Sequence, residues 1–179
     1  MKGGDLMNVS QGTINGLYDL IGECFQYNRW FDRFVSVLGV KFACNQSANL
    51  IHQNIAHFYP QLSDKIGERC LERYNIPVEY ASTDEGKQDY ATVSDMIKQA
   101  ESKVIDFQNM FSAMVKIAWD NDDINIYTDL SDLLRKYNII VEQLILLNDK
   151  IGYYTEQEIM KFDHDIDKFW IIGEEGVVL

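Results

Sequence analysis

Only two prolines, Pro60 and Pro77, interrupt 179 residues in which apolar side chains recur every three or four positions. Proline is the residue a helix interior tolerates least, because it lacks the N–H and its ring meets the carbonyl of the preceding turn. Long stretches of period near 3.6, almost free of proline, each bury one stripe, and no alternating run of useful length competes for a strand. The chain is therefore expected to be all-α.

Five helical segments follow from the stripes. The first carries Ile14, Leu17, Ile21, Cys24, Phe31, Val35 and Leu38, with a single polar gap at Asn28, and is expected to run from a cap at Thr13 to near Cys44. The second, from about Ser47 to Tyr74, carries Ile51, Ile55, Phe58, Leu62 and Ile66. Pro60 falls inside it, and its ring points at the carbonyl of Ala56, which predicts a kink or a local bulge rather than two helices.

The third segment reads Val93, Ile97, Ala100, Val104, Phe107, Phe111, Met114 and Ala118, opened by Thr92 or Ser94 and closed at Asp120–Asp123. The fourth reads Ile126, Leu130, Leu133, Tyr137, Ile140, Leu144, Leu147 and Ile151, with Gly152 as its expected C-cap. A shorter fifth, capped by Thr155, brings Phe162, Phe169 and Trp170 to one face that must cover this bundle or a neighbour. Residues 1–179 read as one domain, with 1–12 as a flexible N-terminus and 155–172 as an extra C-terminal helix.

Between the second and third helices lies NIPVEYASTDEGKQDYA, residues 75–91, longer than the about two to eight residues that join antiparallel neighbours in a bundle. A connection of this length can run the whole length of the bundle. That feature separates ferritin-like topology from a simple up-down bundle, with a plain surface loop as the alternative.

Sixteen Lys and Arg against 28 Asp and Glu give a net charge of −12. That sign repels phosphate backbones, so direct DNA binding by the folded surface is not expected, while cations would be concentrated near it. Cys24, Cys44 and Cys70 are odd in number and widely spaced, which indicates neither a disulfide framework nor a zinc ribbon but reduced thiols in a cytoplasmic protein. No apolar run approaches the length of a membrane span or of a secretory signal.

A di-iron centre inside a bundle commonly uses Glu-x-x-His, because i and i+3 share a helix face. The residues three before His52, His57 and His164 are Asn49, Asn54 and Lys161, so a centre of that type is not expected. Glu23, Glu101, Asp106, Asp132 and Glu142 stand beside the apolar stripes as exposed acids usually do. His164 and its neighbours Asp163, Asp165 and Asp167 alternate around their helix, as in a solvated acidic face.

The second helix offers a different constellation. Its segment Asp64-Lys65-Ile66-Gly67-Glu68-Arg69 resembles the Asp-x-x-Ala-Glu-Arg motif of the Dps branch of the ferritin-like proteins, followed as in that family by a helix end and a polar stretch. The resemblance implies a dimer-based homo-oligomer, at most a shell of twelve subunits with an interior for mineral. It also implies an iron site at a twofold interface, where histidines of one subunit face the Asp and Glu of the other and Fe²⁺ is oxidised by peroxide or oxygen. The associated roles would be ferroxidase activity and storage of ferric iron under oxidative stress.

By that likeness Asp64 and Glu68 are the candidate carboxylate ligands, with His52 and His57 as the candidate imidazoles. Helical geometry adds that His57, Asp64 and Glu68 fall within about 40° of one another, on a ridge away from the Ile51–Ile66 stripe. Val37–Val40 carries no histidine where the family has one late in the first helix, and Asn49 holds the spacing of the family's second. Either the site is rebuilt from His52 and His57, or the chain is a metal-free ferritin-like structural or interaction bundle.

Overall fold

A computed structural model of the chain describes residues 8–179. Helix α1 spans Gln11–Val40, α2 Asn45–Ile51, α3 Phe58–Cys70, α4 Val93–Asp120, α5 Ile124–Ile151 and α6 Ile159–Asp165. A π-helical stretch, His52–Ala56, joins α2 to α3, so that the two form one broken second bundle helix. Helix α4 packs on α1 and α5, and α3 packs on the same two. No strand occurs among the described residues.

The direction of each helix follows from its end contacts. Ser10, at the start of α1, reaches Asp123 after α4, and Arg73, beyond α3, pairs with Asp129 early in α5. The connection over residues 75–91 runs back along α1: Tyr18 donates to the Pro77 carbonyl, Gln26 accepts from Asp84 N, Gln88 donates to Trp30 O, and Lys41 pairs with Asp89. The order is thus up, down, down, up. This is the ferritin-like arrangement expected from the length of that segment.

The proline prediction resolves into a specific device. Pro60 has no N–H to give the Ala56 carbonyl, and a buried carbonyl without a donor is costly. Asn28 of α1 supplies the donor, at 3.0 Å. The one polar gap in the first stripe is therefore a partner for the carbonyl that Pro60 leaves open. Upstream of it the ladder widens to i→i+5, His57 N donating to His52 O at 3.1 Å, which is the expected bulge in π form.

Several helix ends differ from expectation. Ser10, not Thr13, caps α1 by accepting from Thr13 N, and Thr13 is buried one turn inside, where Asn121 donates to its hydroxyl. Helix α1 begins at Gln11, inside the span expected to be flexible, and residues 1–7 of that span lie outside those described. It ends at Val40, four residues before Cys44, and the chain turns through Ala43 at φ 57°. The second bundle helix starts at Asn45, ahead of Ser47, and finishes its last turn as a 3₁₀ segment, Glu72–Tyr74. Thr92 caps α4 as expected. Gly152 follows α5 but is right-handed, φ −61°, so its glycine freedom is not what ends that helix.

The C-terminal helix is shorter than its sequence pattern, with 3₁₀ turns at Glu156–Glu158 and Ile166–Phe169 on either side of α6 and a Thr155–Glu158 capping box at its start. Phe162 is fully buried and stacks on Phe169, so the apolar face covers the end of its own bundle. The acidic face expected around His164 is corrected in part. Asp163 is buried and accepts from Ser47 N and Ser47 Oγ, at 2.8 and 2.6 Å, capping the first turn of α2 across the chain. Its charge meets the positive end of that helix. Asp165 accepts from Lys168 and Tyr154, while His164 is largely exposed.

Candidate metal site on the second helix

Ferritin-like di-metal proteins place inward Glu and His side chains in the bundle interior. Here that space is aromatic. Tyr59 and Tyr137 are fully buried with their hydroxyls 2.9 Å apart, and Tyr137 donates onward to Val104 O at 3.0 Å, so Tyr59 is the donor of the pair. Tyr27, Phe107 and Phe111 pack edge-on or tilted around them. Burial pushes both phenols well above their ordinary value, and with every hydroxyl of the pair satisfied the interior is a packed core.

The ridge predicted from helical geometry is outward. Asp64 and Glu68 are exposed, and His57 is half-buried about two turns before Asp64. Seven residues of α-helix rise about 10 Å, so His57 and Asp64 of one chain cannot hold the same ion. Lys65 donates to Glu68 at 2.7 Å and holds its carboxyl below the usual value. Among the described residues no three His, Cys, Asp or Glu side chains gather closely enough to hold a metal ion.

The two histidines do come together, and the π stretch is the reason. In a regular α-helix residues five apart point about 140° away from each other, whereas a π turn brings them nearly over one another. The His52 and His57 rings stand 4.3 Å apart between centroids. Beside them is a residue that the sequence pattern did not mark: Asp32 Oδ1 lies 3.7 Å from His52 Nε2. A signal for it existed. Since α1 and the second helix are antiparallel and Asn28 faces Ala56, one turn further along α1 meets one turn back on its partner, and Asp32 meets His52.

Each side chain can ligate a divalent cation, imidazole through a neutral nitrogen and carboxylate through oxygen. What one chain presents is an open pair of imidazoles with one flanking carboxylate, and separately an outward Asp and Glu. The thiols do not add to this: Cys24, Cys44 and Cys70 are buried and unbridged, and burial raises Cys44 and Cys70 to about 12. No described helix is long and apolar enough to cross a membrane.

No family model matches the chain, and no curated protein matches it. Among solved structures it is similar to an open-pore ferritin from the hyperthermophilic archaeon Archaeoglobus fulgidus, with a TM-score of 0.82 over 89% of this chain and 97% of that one, at 10% identity. A likeness so complete in course and so low in identity speaks to the backbone, and the chain has a ferritin-like fold.

Proposed function

We propose that the protein binds and oxidises Fe²⁺ as a Dps-like dimer-based assembly, in the reduced interior of a cell, with His52 and His57 of one subunit and Asp64 and Glu68 of a second as ligands. One observation carries the reading: His57, whose ring meets that of His52, shares one helix face with the exposed Asp64 and Glu68 yet lies too far from them to act within a chain. A twofold axis crossing that helix near Pro60 and Gln61 pairs residue i with residue 121 − i. His57 then faces Asp64 of a second copy, and His52 comes within one residue of facing Glu68. A single axis serves both pairs, and symmetry supplies two sites per dimer.

In the step, two Fe²⁺ ions each give up one electron. One hydrogen peroxide takes both together with two protons and leaves as two water molecules. The carboxylates stabilise the more highly charged Fe³⁺, and Lys65 must release Glu68 for the ion to bind. The fold neighbour is a ferritin, which agrees with iron as the cargo. Storage of ferric mineral, a shell of twelve and a role in oxidative stress extend the same reading.

The test is anaerobic addition of Fe²⁺ followed by peroxide, read as ferric absorbance, with sedimentation to give the mass. The intact protein should oxidise iron stoichiometrically, and an Asp64→Ala/Glu68→Ala variant should lose most of that rate while keeping its helical spectrum. Equal rates in the two overturn the site. The aromatic interior and the Lys65–Glu68 pair favour, as the second reading, a metal-free interaction bundle, and absence of any iron binding by the intact protein would establish it.

A further inference from the structure

Five arginines occur in the chain. Arg69 and Arg135 pair with Asp132, and Arg73 with Asp129. Arg29 and Arg33 form no salt bridge among the described residues, although the charge of Arg33 helps to hold the Asp89 carboxyl below its usual value. They sit on successive turns of α1, an arrangement in which like charges repel. Both line a cavity of about 690 Å³ between α1 and the connection over residues 75–91.

That cavity is built by close packing. A Cβ on Gly86 would come within 3.2 Å of Arg29 O and 3.3 Å of Arg33 Cβ, so a side chain there would have to push the connection and the helix apart by a few tenths of an ångström. Arg33 is held from the other side, its Nε donating to Gln88 O at 3.0 Å, which leaves its terminal nitrogens for another acceptor. Ser36 and Thr83 add hydroxyls to the lining, while Phe25 and Tyr80 stand edge to face, 5.7 Å between centroids, at an apolar side. Asp32 also lines the space but lies 3.7 Å from His52, and two cations against one anion keep the lining positive.

We propose that this cavity binds a small organic oxyanion, with the anionic head between the Arg29 and Arg33 guanidiniums and the carbon part against Phe25 and Tyr80. Guanidinium forks match phosphate and carboxylate geometry through paired N–H donors. The volume suits a molecule larger than a bare ion, within the about 300–1,000 Å³ common for small-ligand sites. Positive lining in a chain of net charge −12 also makes this a place where an anion can approach an otherwise repelling surface.

Calorimetry on the metal-free, chelator-treated full chain tests it, which keeps the result separate from the fate of the iron site. The probes are phenyl phosphate, benzoate, inorganic phosphate and neutral phenol. Saturable binding of phenyl phosphate or benzoate is expected, the stronger of the two telling a phosphate monoester from a carboxylate, with inorganic phosphate weaker and phenol absent. Arg29→Gln should weaken that binding about tenfold or more, and Gly86→Ala should weaken it while circular dichroism keeps its helical signal. Arg29 is exposed and its replacement leaves the fold's contacts intact. No saturable heat from any anion at millimolar concentration, equal affinity in Arg29→Gln, or phenol matching phenyl phosphate would each overturn the proposal. Inorganic phosphate binding as tightly as phenyl phosphate would overturn its organic part.

Discussion

The α4–α5 hairpin and the second bundle helix are built from equally good apolar stripes, yet they do different work. Helices α4 and α5 run 28 residues each without a break, joined by three residues, and contain no proline and no histidine. The second helix passes through α, π and α again, holds a proline, and has two of the three histidines within six residues. Regular hydrogen bonding leaves side chains at fixed 100° steps, so it packs well and gathers little. Where the ladder widens, residues five apart meet, and that is where two imidazoles come into contact.

The largest expected effect lies in the core that α4 and α5 share with the second helix. Phe107 of α4 packs on Tyr27, Tyr59 and Tyr137 at once, and is fully buried. Phe107→Ala should cost about 3–5 kcal/mol of stability in denaturant unfolding, since the surrounding rings cannot close the gap. Cost near zero would mean that the aromatic interior is loosely packed and could admit a ligand after all.

The device around Pro60 predicts a smaller and conditional effect. Asn28→Ala leaves the Ala56 carbonyl without a donor and should cost about 1–3 kcal/mol. In a Pro60→Ala background residue 60 regains its N–H, and the same Asn28→Ala change should then cost little. A double-mutant cycle with no coupling would show that Asn28 acts by packing rather than by satisfying that carbonyl.

The smallest effect is electrostatic. Glu68 owes its lowered pKa first to the hydrogen bond from Lys65. A depressed carboxyl contributes stability above its unfolded pKa and loses it as pH falls through the folded value. Lys65→Ala should raise the Glu68 pKa toward the ordinary carboxyl range, read by NMR titration, with thermal stability nearly unchanged because the pair is exposed. An unchanged titration would mean that the neighbouring Arg69 charge, not Lys65, sets that pKa.

Much of the bundle was legible in the chain itself. The stripes of α4 and α5 mark core positions one by one, because burial of one face imposes the helical period directly on sequence. The long polar stretch after the second helix announced a crossover for an equally local reason, its length. Helix ends were less legible: Ser10 and Thr13 are both good caps, and what selects Ser10 is Asp123, 113 residues away. Asp163 reads as one acid among several until its contact with Ser47, 116 residues distant, makes it a helix cap.

For the candidate site the division has the same cause. The Asp64–Glu68 ridge follows from spacing within one helix, which the 3.6 period fixes without help from any other segment. The contact of His52 with His57 depends on a π turn, and that turn depends on Pro60 and on Asn28 from another helix supplying a donor. Asp32 beside His52, and Arg29 with Arg33 under the connection, depend on which way α1 faces. By itself the sequence determined which residues are helical and which of their faces are apolar, since those are properties of neighbours in the chain. Only the tertiary structure decided which polar groups meet across helices, because each such meeting exists to satisfy a donor, an acceptor or a charge contributed by a distant segment.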